Sequence, residues 1–114
     1  MKEFIKVMKA LRDPNRVKIL KMLQHGELCV CEIQVALGVS QPTVSKHVKI
    51  LEAAGLLSSR KDGLWVHYRL QDERSSPYAA AMLGNMKHWL EQTPEISELT
   101  KKLPDIQRQN LCKA

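Results

Sequence analysis

Ser40-Gln41-Pro42-Thr43-Val44-Ser45-Lys46-His47-Val48-Lys49-Ile50-Leu51 is the stretch on which the reading of this chain turns. The Ser40 hydroxyl can accept from the first free backbone donors of a helix, and Pro42 falls in the first turn, where its missing N–H costs nothing. Val44, Val48 and Leu51 recur at i, i+4 and i+7, so one stripe faces a core while Thr43, Lys46 and Lys49 point the other way. A helix that begins with Gln, Thr, Ser and Lys can set short polar side chains against base edges and let its lysines reach phosphates. We read it as a recognition helix. The plainer alternative is an amphipathic helix with a solvated face, and the flanking segments weigh against it.

Upstream, Glu27 to Val39 reads as a short helix closed by Gly38, with Ile33 and Leu37 inward, so that Gly38-Val39-Ser40 makes a tight helix-turn-helix connection. Before it, Lys2 to Leu11 carries Phe4, Met8 and Leu11 on one stripe, and Asp13-Pro14 caps a second helix that ends at His25-Gly26. Downstream, Leu56 to Lys61 and Leu64 to Leu70 flank Asp62-Gly63, a two-residue turn that favours a hairpin tipped by Arg60 and Lys61. Such a wing can touch a phosphate backbone or minor groove, or be ordinary basic surface. The expected fold is mainly α with a small β-hairpin, a dimeric winged helix-turn-helix.

Ser75-Ser76-Pro77 starts a helix to about Gln92, with Tyr78, Met82, Met86 and Trp89 on one stripe. That is more apolar surface than one small domain needs, and with the first helix it suggests a homodimer interface. Thr93-Pro94 caps one more short helix before Pro104, and Asp105 to Ala114 reads as a polar, flexible tail. The domain is therefore drawn at 1–92, with 93–114 as a C-terminal extension.

The chain has 114 residues, 44% of them hydrophobic, enough for one core. Its net charge of +6 suits a polyanionic partner. The excess lies in the first two thirds, since from residue 70 onward six basic residues face six acidic ones. No apolar run approaches the ~18 residues of a membrane span, and the N-terminus carries Lys2, Glu3 and Lys6, so a cytoplasmic protein is expected. Three cysteines, Cys29 and Cys31 two apart and Cys112 near the end, do not look like a secreted disulfide framework, and reduced thiols are the default.

Thiolates select soft ions such as arsenite, antimonite, copper(I), zinc and cadmium. Residues two apart on a regular helix project about 200° from each other, so one ion could bind Cys29 and Cys31 only by unwinding that turn. Unwinding would displace the support of the recognition helix. Cys29 also lies in register with Ile33 and Leu37 and could be a buried small hydrophobe.

Ala10-Leu11, Asp13-Pro14, Arg16, Glu27-Leu28-Cys29-Val30-Cys31-Glu32, Ser40 to His47 and the wing ending in Tyr68 together resemble the ArsR/SmtB family of metal-responsive repressors, over about residues 4 to 92. In the arsenic-responsive branch, Glu-Leu-Cys-Val-Cys is the inducer box, which implies arsenite or antimonite as inducer and release of double-stranded operator DNA as output. The resemblance implies Gln41, Thr43, Ser45 and Lys46 as DNA contacts, with His47 and Lys49 beside them; Arg60 and Lys61 join them from the reading of the hairpin tip. It also implies Cys29 and Cys31 as metal ligands. Gln34 stands where the best-known arsenic box has a third cysteine, and Arg12 where many members have a small residue. Cys112 could supply the third thiolate, or be incidental.

The expectation is a metalloid-responsive repressor, not an enzyme. A thiol redox sensor, or a zinc, cadmium or copper(I) sensor, could use the same cysteines. A cysteine nucleophile would need an adjacent base, which no Cys/His arrangement suggests. A plain interaction module would not need Lys46, Lys49, Arg60 and Lys61 on one surface.

Overall fold

Helix starts in this protein are written locally. In the computed structural model, which describes residues 1–71 and 76–112, the Asp13 carboxylate accepts from the N–H of Asn15 at 2.8 Å and of Arg16 at 3.3 Å. Ser40 Oγ accepts from Thr43 N–H at 3.4 Å, and Ser76 Oγ from Ala79 N–H at 3.1 Å. A proline follows each of these caps in the first turn, as helix starts favour. The elements are α1 Lys2–Ala10, α2 Pro14–Leu23, β1 Leu28–Cys29, α3 Val30–Leu37, α4 Gln41–Ala53, β2 Leu57–Asp62, β3 Trp65–Leu70, α5 Pro77–Met86 and α6 Pro94–Arg108. Helices α3 and α4 form the helix-turn-helix, and β2 and β3 the wing. Gly38 takes φ 70° at the end of α3, a left-handed conformation that stops the helix at little cost.

The core is continuous. Val7, Ile19, Leu20, Ile33, Val44, Leu51, Leu56 and Leu57 are fully buried, and α5 and α6 add Ala79, Leu83, Ile96, Leu99, Leu103 and Ile106. The Val44, Val48 and Leu51 stripe of α4 is buried as its spacing requires.

Several sequence expectations are corrected. The helix expected from Glu27 begins only at Val30, because Leu28 and Cys29 form a strand against β3, pairing with Tyr68 and His67. Both residues are buried, so their backbone groups need partners and find them in a ladder. The sheet therefore has three strands, in the order β1-β3-β2. The wing turn is Gly63-Leu64 rather than Asp62-Gly63, since Asp62 pairs with Trp65 and Gly63 carries φ 61° at the first turn position, as in a type II′ turn.

Helix α5 ends at Met86 instead of near Gln92. The Lys21 ammonium, only 3% exposed, donates to the carbonyls of Met86 and Trp89 and to Glu91 Oε1, each at 2.8 Å. A cation on these last carbonyls completes the helix end, and Leu90 takes φ 66° as the chain turns away. Ser75, the expected start of this helix, lies outside the described residues, and Ser76 is the cap.

Helix α6 runs through Pro104 to Arg108, where a stop before Pro104 and a loose polar tail were expected. Ile96, Leu99, Leu103 and Ile106 share one buried face. Each contributes about 1.5–3 kcal/mol on burial, together outweighing the ~3 kcal/mol cost of an internal proline. Cys112 is buried beyond it, while Lys113 and Ala114 lie outside the described residues.

Candidate nucleic-acid interface and thiol centre

The Ser40 cap leaves the first turns of α4 on the surface. Gln41, Lys46 and Lys49 are exposed, and Thr43, Ser45 and His47 partly so. Thr43 Oγ1 lies 2.9 Å from Ser40 Oγ, so its hydroxyl is already placed by the cap. His47 turns inward to Arg16, whose Nη1 lies 3.4 Å from His47 Nδ1. Arginine can only donate, which makes Nδ1 the accepting nitrogen. Arg16 also holds the end of α1, its Nε donating to the Ala10 carbonyl at 2.7 Å and Nη2 to that of Lys9 at 3.2 Å. The junction of α1 and α2 is thereby tied to the recognition helix.

Asp13 stands beside this junction. Burial raises its pKa, but hydrogen bonds from Asn15 and Arg16 and the positive charge of Arg16 outweigh it and hold the carboxyl below its ordinary range.

In the wing, Lys61 and Arg60 differ. Lys61 is exposed and has no ion pair among the described residues. Arg60 is engaged by Glu27, its Nε lying 2.9 and 3.1 Å from the two carboxylate oxygens and its Nη2 2.6 Å from Oε1. That hydrogen bond is the main reason the Glu27 carboxyl sits below its usual range; burial opposes it, and the charges of Arg60, His67 and Arg69 reinforce it. Ser59 ties the wing to the end of α4 through Glu52 Oε2 at 2.8 Å.

The thiols are arranged differently from the expectation. Cys29 is not on the helix but caps it, in an extended conformation at φ −88° and ψ 167°. It is joined to Cys112 in a disulfide with Cα atoms 6.3 Å apart, where reduced thiols were expected. The reason is tertiary: the buried face of α6 carries the end of the chain back to β1. Cys31 is free and half-buried. The premise that Cys29 and Cys31 share a regular helical turn does not hold.

Glu32 completes the surroundings of Cys29, its Oε1 accepting from the Cys29 N–H at 2.9 Å. Donor atoms of Cys29, Glu32 and Cys112 all lie within 4.8 Å of one another, and Cys31 is outside that group. A cavity of about 260 Å³ adjoins them, lined by Glu27, Glu32, His67, Asn110 and Cys112 among others. Sheet register sets Cys29, His67 and Arg60 in one row across β1, β3 and β2. His67 Nδ1 lies 3.8 Å from Glu27 Oε1, close enough for charge but long for a hydrogen bond, and its buried Nε2 has no hydrogen-bond partner among the described residues.

Sequence reasoning did not find Glu32, His67 or Glu27 here, or Lys21 in the core. Glu32 had a usable signal, an acid three residues after a helix cap. His67 and Lys21 had none, since their partners lie on distant elements.

Comparison with known proteins agrees with this architecture. The sequence profile described as "Bacterial regulatory protein, arsR family" matches residues 13–59. The chain is 49% identical over 67 residues to the arsenical resistance operon repressor of Escherichia coli (strain K12), covering 58% of this chain and 57% of that protein. The chain thus matches little more than half the length of that relative. Reduced HlyU from Vibrio cholerae N16961 superposes with a TM-score of 0.63 at 32% identity, over 80% of this chain and 87% of the other. The homodimeric winged helix-turn-helix DNA-binding domain Mb0332 from Mycobacterium bovis gives a TM-score of 0.64 at 30% identity, over 80% and 84% of the two chains. With its helix-turn-helix, its wing and these relatives, the chain belongs to the ArsR family of bacterial regulatory proteins.

Proposed function

We propose that this chain is a cytoplasmic, homodimeric transcriptional repressor that holds operator DNA through α4 and releases it when trivalent arsenic or antimony binds its thiolates. The observation that carries this reading is the position of Cys29. Cys29 occupies the N-cap position of α3, the helix that packs against α4, so an ion drawn to its sulfur acts on the frame of the DNA-reading element. The name of the Escherichia coli relative supports the metalloid. Cys29 and Cys112 are the proposed inducer thiols. Gln41, Thr43, Ser45 and Lys46 read the duplex, His47 positions the helix through Arg16, and Lys49 and Lys61 meet phosphates. Arg60 joins them only when Glu27 lets it go.

The dimer uses the apolar surface left open on α1 and α5, where Phe4, Ile5 and Tyr78 are each 40% exposed and the Phe4 and Tyr78 rings meet edge to face at 5.5 Å. The homodimeric Mycobacterium bovis domain supports this. A twofold pair would set two recognition helices on successive turns of a duplex. Among the described residues no helix is long and apolar enough to cross a membrane. The role needs no catalytic step.

Gel shift on the DNA upstream of the chain's own gene, with the protein reduced, tests the reading. Arsenite or antimonite should release the duplex, and binding should fall steeply with salt because phosphate contacts release counterions. Linkage requires that arsenite bind more weakly when DNA is present. Duplex affinity indifferent to both metalloids would refute the inducer. A second reading, a thiol redox sensor, is favoured by the Cys29–Cys112 bond itself. Release by peroxide but not by arsenite would select it.

A further inference from the structure

We propose that Glu27 is an internal stand-in for a DNA phosphate: in the free protein its carboxylate occupies the guanidinium fork of Arg60, and it has to surrender that fork before the arginine can grip a duplex. This deepens the reading of α4 and the wing as the duplex-binding surface, and rests on it.

The geometry is that of an arm folded back. Register sets Cys29, His67 and Arg60 side by side across β1, β3 and β2, and Glu27 immediately precedes β1. The Arg60 side chain starts on one edge strand, crosses β3 and meets its carboxylate beside the other edge. Its Nε lies 2.9 and 3.1 Å from the two Glu27 oxygens and its Nη2 2.6 Å from Oε1, while Nη1 faces Asp62 Oδ2 at 3.9 Å. Every guanidinium nitrogen thus has a carboxylate before it.

Nε and Nη2 form the pair of donors that fits a carboxylate or a phosphate with two parallel bonds, so the two anions compete for the same edge. One excludes the other. The remaining cations of the wing are not held in this way. Lys61, next along β2, is exposed with no ion pair among the described residues, and Arg69 Nε donates to the uncharged Ser58 hydroxyl at 3.2 Å. Exposure says which partner yields: the Glu27 side chain is 29% exposed and that of Arg60 53%, so the carboxylate stays with the body of the domain and the arginine swings.

The contact is a brake on affinity. Docking exchanges one bidentate pair for another, so a phosphate on Arg60 contributes only the difference between them, and a complex held less tightly is easier to discharge.

The test is a double-mutant cycle on the full-length, disulfide-bonded chain, with affinity for a mixed-sequence duplex read by fluorescence anisotropy over a range of salt. Glu27→Gln should tighten binding about 3- to 5-fold, the scale of a half-exposed pair, and steepen the slope of log affinity against log salt by about 0.9, one further phosphate contact. In an Arg60→Ala background the same change should keep less than half of that gain. In the chain without DNA, the Arg60 Nε–H, followed by heteronuclear NMR, should exchange with water more slowly in wild type than in Glu27→Gln. Unchanged or weaker binding in Glu27→Gln, half or more of the gain surviving in the Arg60→Ala background, or equal exchange in the two proteins overturns the proposal. Neither operator nor metalloid enters this experiment, so the predicted cycle alongside DNA that arsenite fails to release would refute the inducer reading and leave this one standing.

Discussion

The start of α4 is shaped by Ser40, Pro42 and Thr43, within three positions of one another, whereas the thiol pocket joins β1, β3, α3 and the end of α6, with its two sulfurs 83 positions apart in the sequence. The first is local chemistry, formed wherever that short sequence becomes helical. The second exists only after the whole chain has packed. Information about DNA contact is therefore held in a short segment, and information about the ligand in the tertiary fold, so damage far from either should fall unequally on the two.

The largest separation should come from cutting the Cys29–Cys112 link. Closing so long a loop removes disorder from the unfolded chain, and its loss in Cys112→Ser, against the oxidised wild type, should cost about 2–4 kcal/mol in urea denaturation. DNA affinity, measured where both proteins are fully folded, should change little.

Next is Lys21. Its ammonium satisfies the carbonyl of Met86 at the end of α5 and that of Trp89 just beyond it, and Lys21→Met leaves both without their charged donor, a loss of about 2 kcal/mol in the same measurement. The long-range side of the molecule should weaken. The Gln41 side should not.

Gln41→Ala provides the converse. If Gln41 reads a base edge, the variant should lose about 1–2 kcal/mol of binding to its operator, read by gel shift, with non-specific duplex affinity and thermal stability unchanged. Equal losses on both duplexes would make Gln41 a phosphate contact only.

The smallest effect is at Asp13. Asp13→Ala should cost about 1 kcal/mol as the α2 cap is lost, while Asp13→Asn keeps the cap and removes the titration. The carboxyl is held below its ordinary range, so the unfolded chain takes up its proton first as pH falls. Its contribution is complete above the ordinary carboxylate pKa of about 3.9 and disappears as pH drops through the lower folded value. A stability profile between pH 2 and 5, on the order of the carboxylate range, should be flatter in Asp13→Asn than in wild type.

Much of the architecture was legible because its signals were short. Asp13-Pro14, Ser40 with Pro42, and the Val44, Val48 and Leu51 stripe each act within a turn or two of helix, and the structure uses them as spaced. The errors share a cause. Leu28 and Cys29 look helical until β3 offers them a ladder, α5 reads past Met86 until Lys21 arrives from α2, and Pro104 reads as a stop until four aliphatic side chains find the core.

By itself, then, the amino-acid sequence determined the capped helices, the helix-turn-helix and wing, and the exposed polar start of α4, because hydrogen bonds and apolar spacing within a few residues suffice for them. Only tertiary structure decided that Cys29 meets Cys112 and Glu32 rather than Cys31, that His67 pairs with Cys29 across the sheet while its Nε2 has no hydrogen-bond partner among the described residues, and that Lys21 is buried. Those pairings depend on which buried faces come together, and no short segment encodes the partner it will meet.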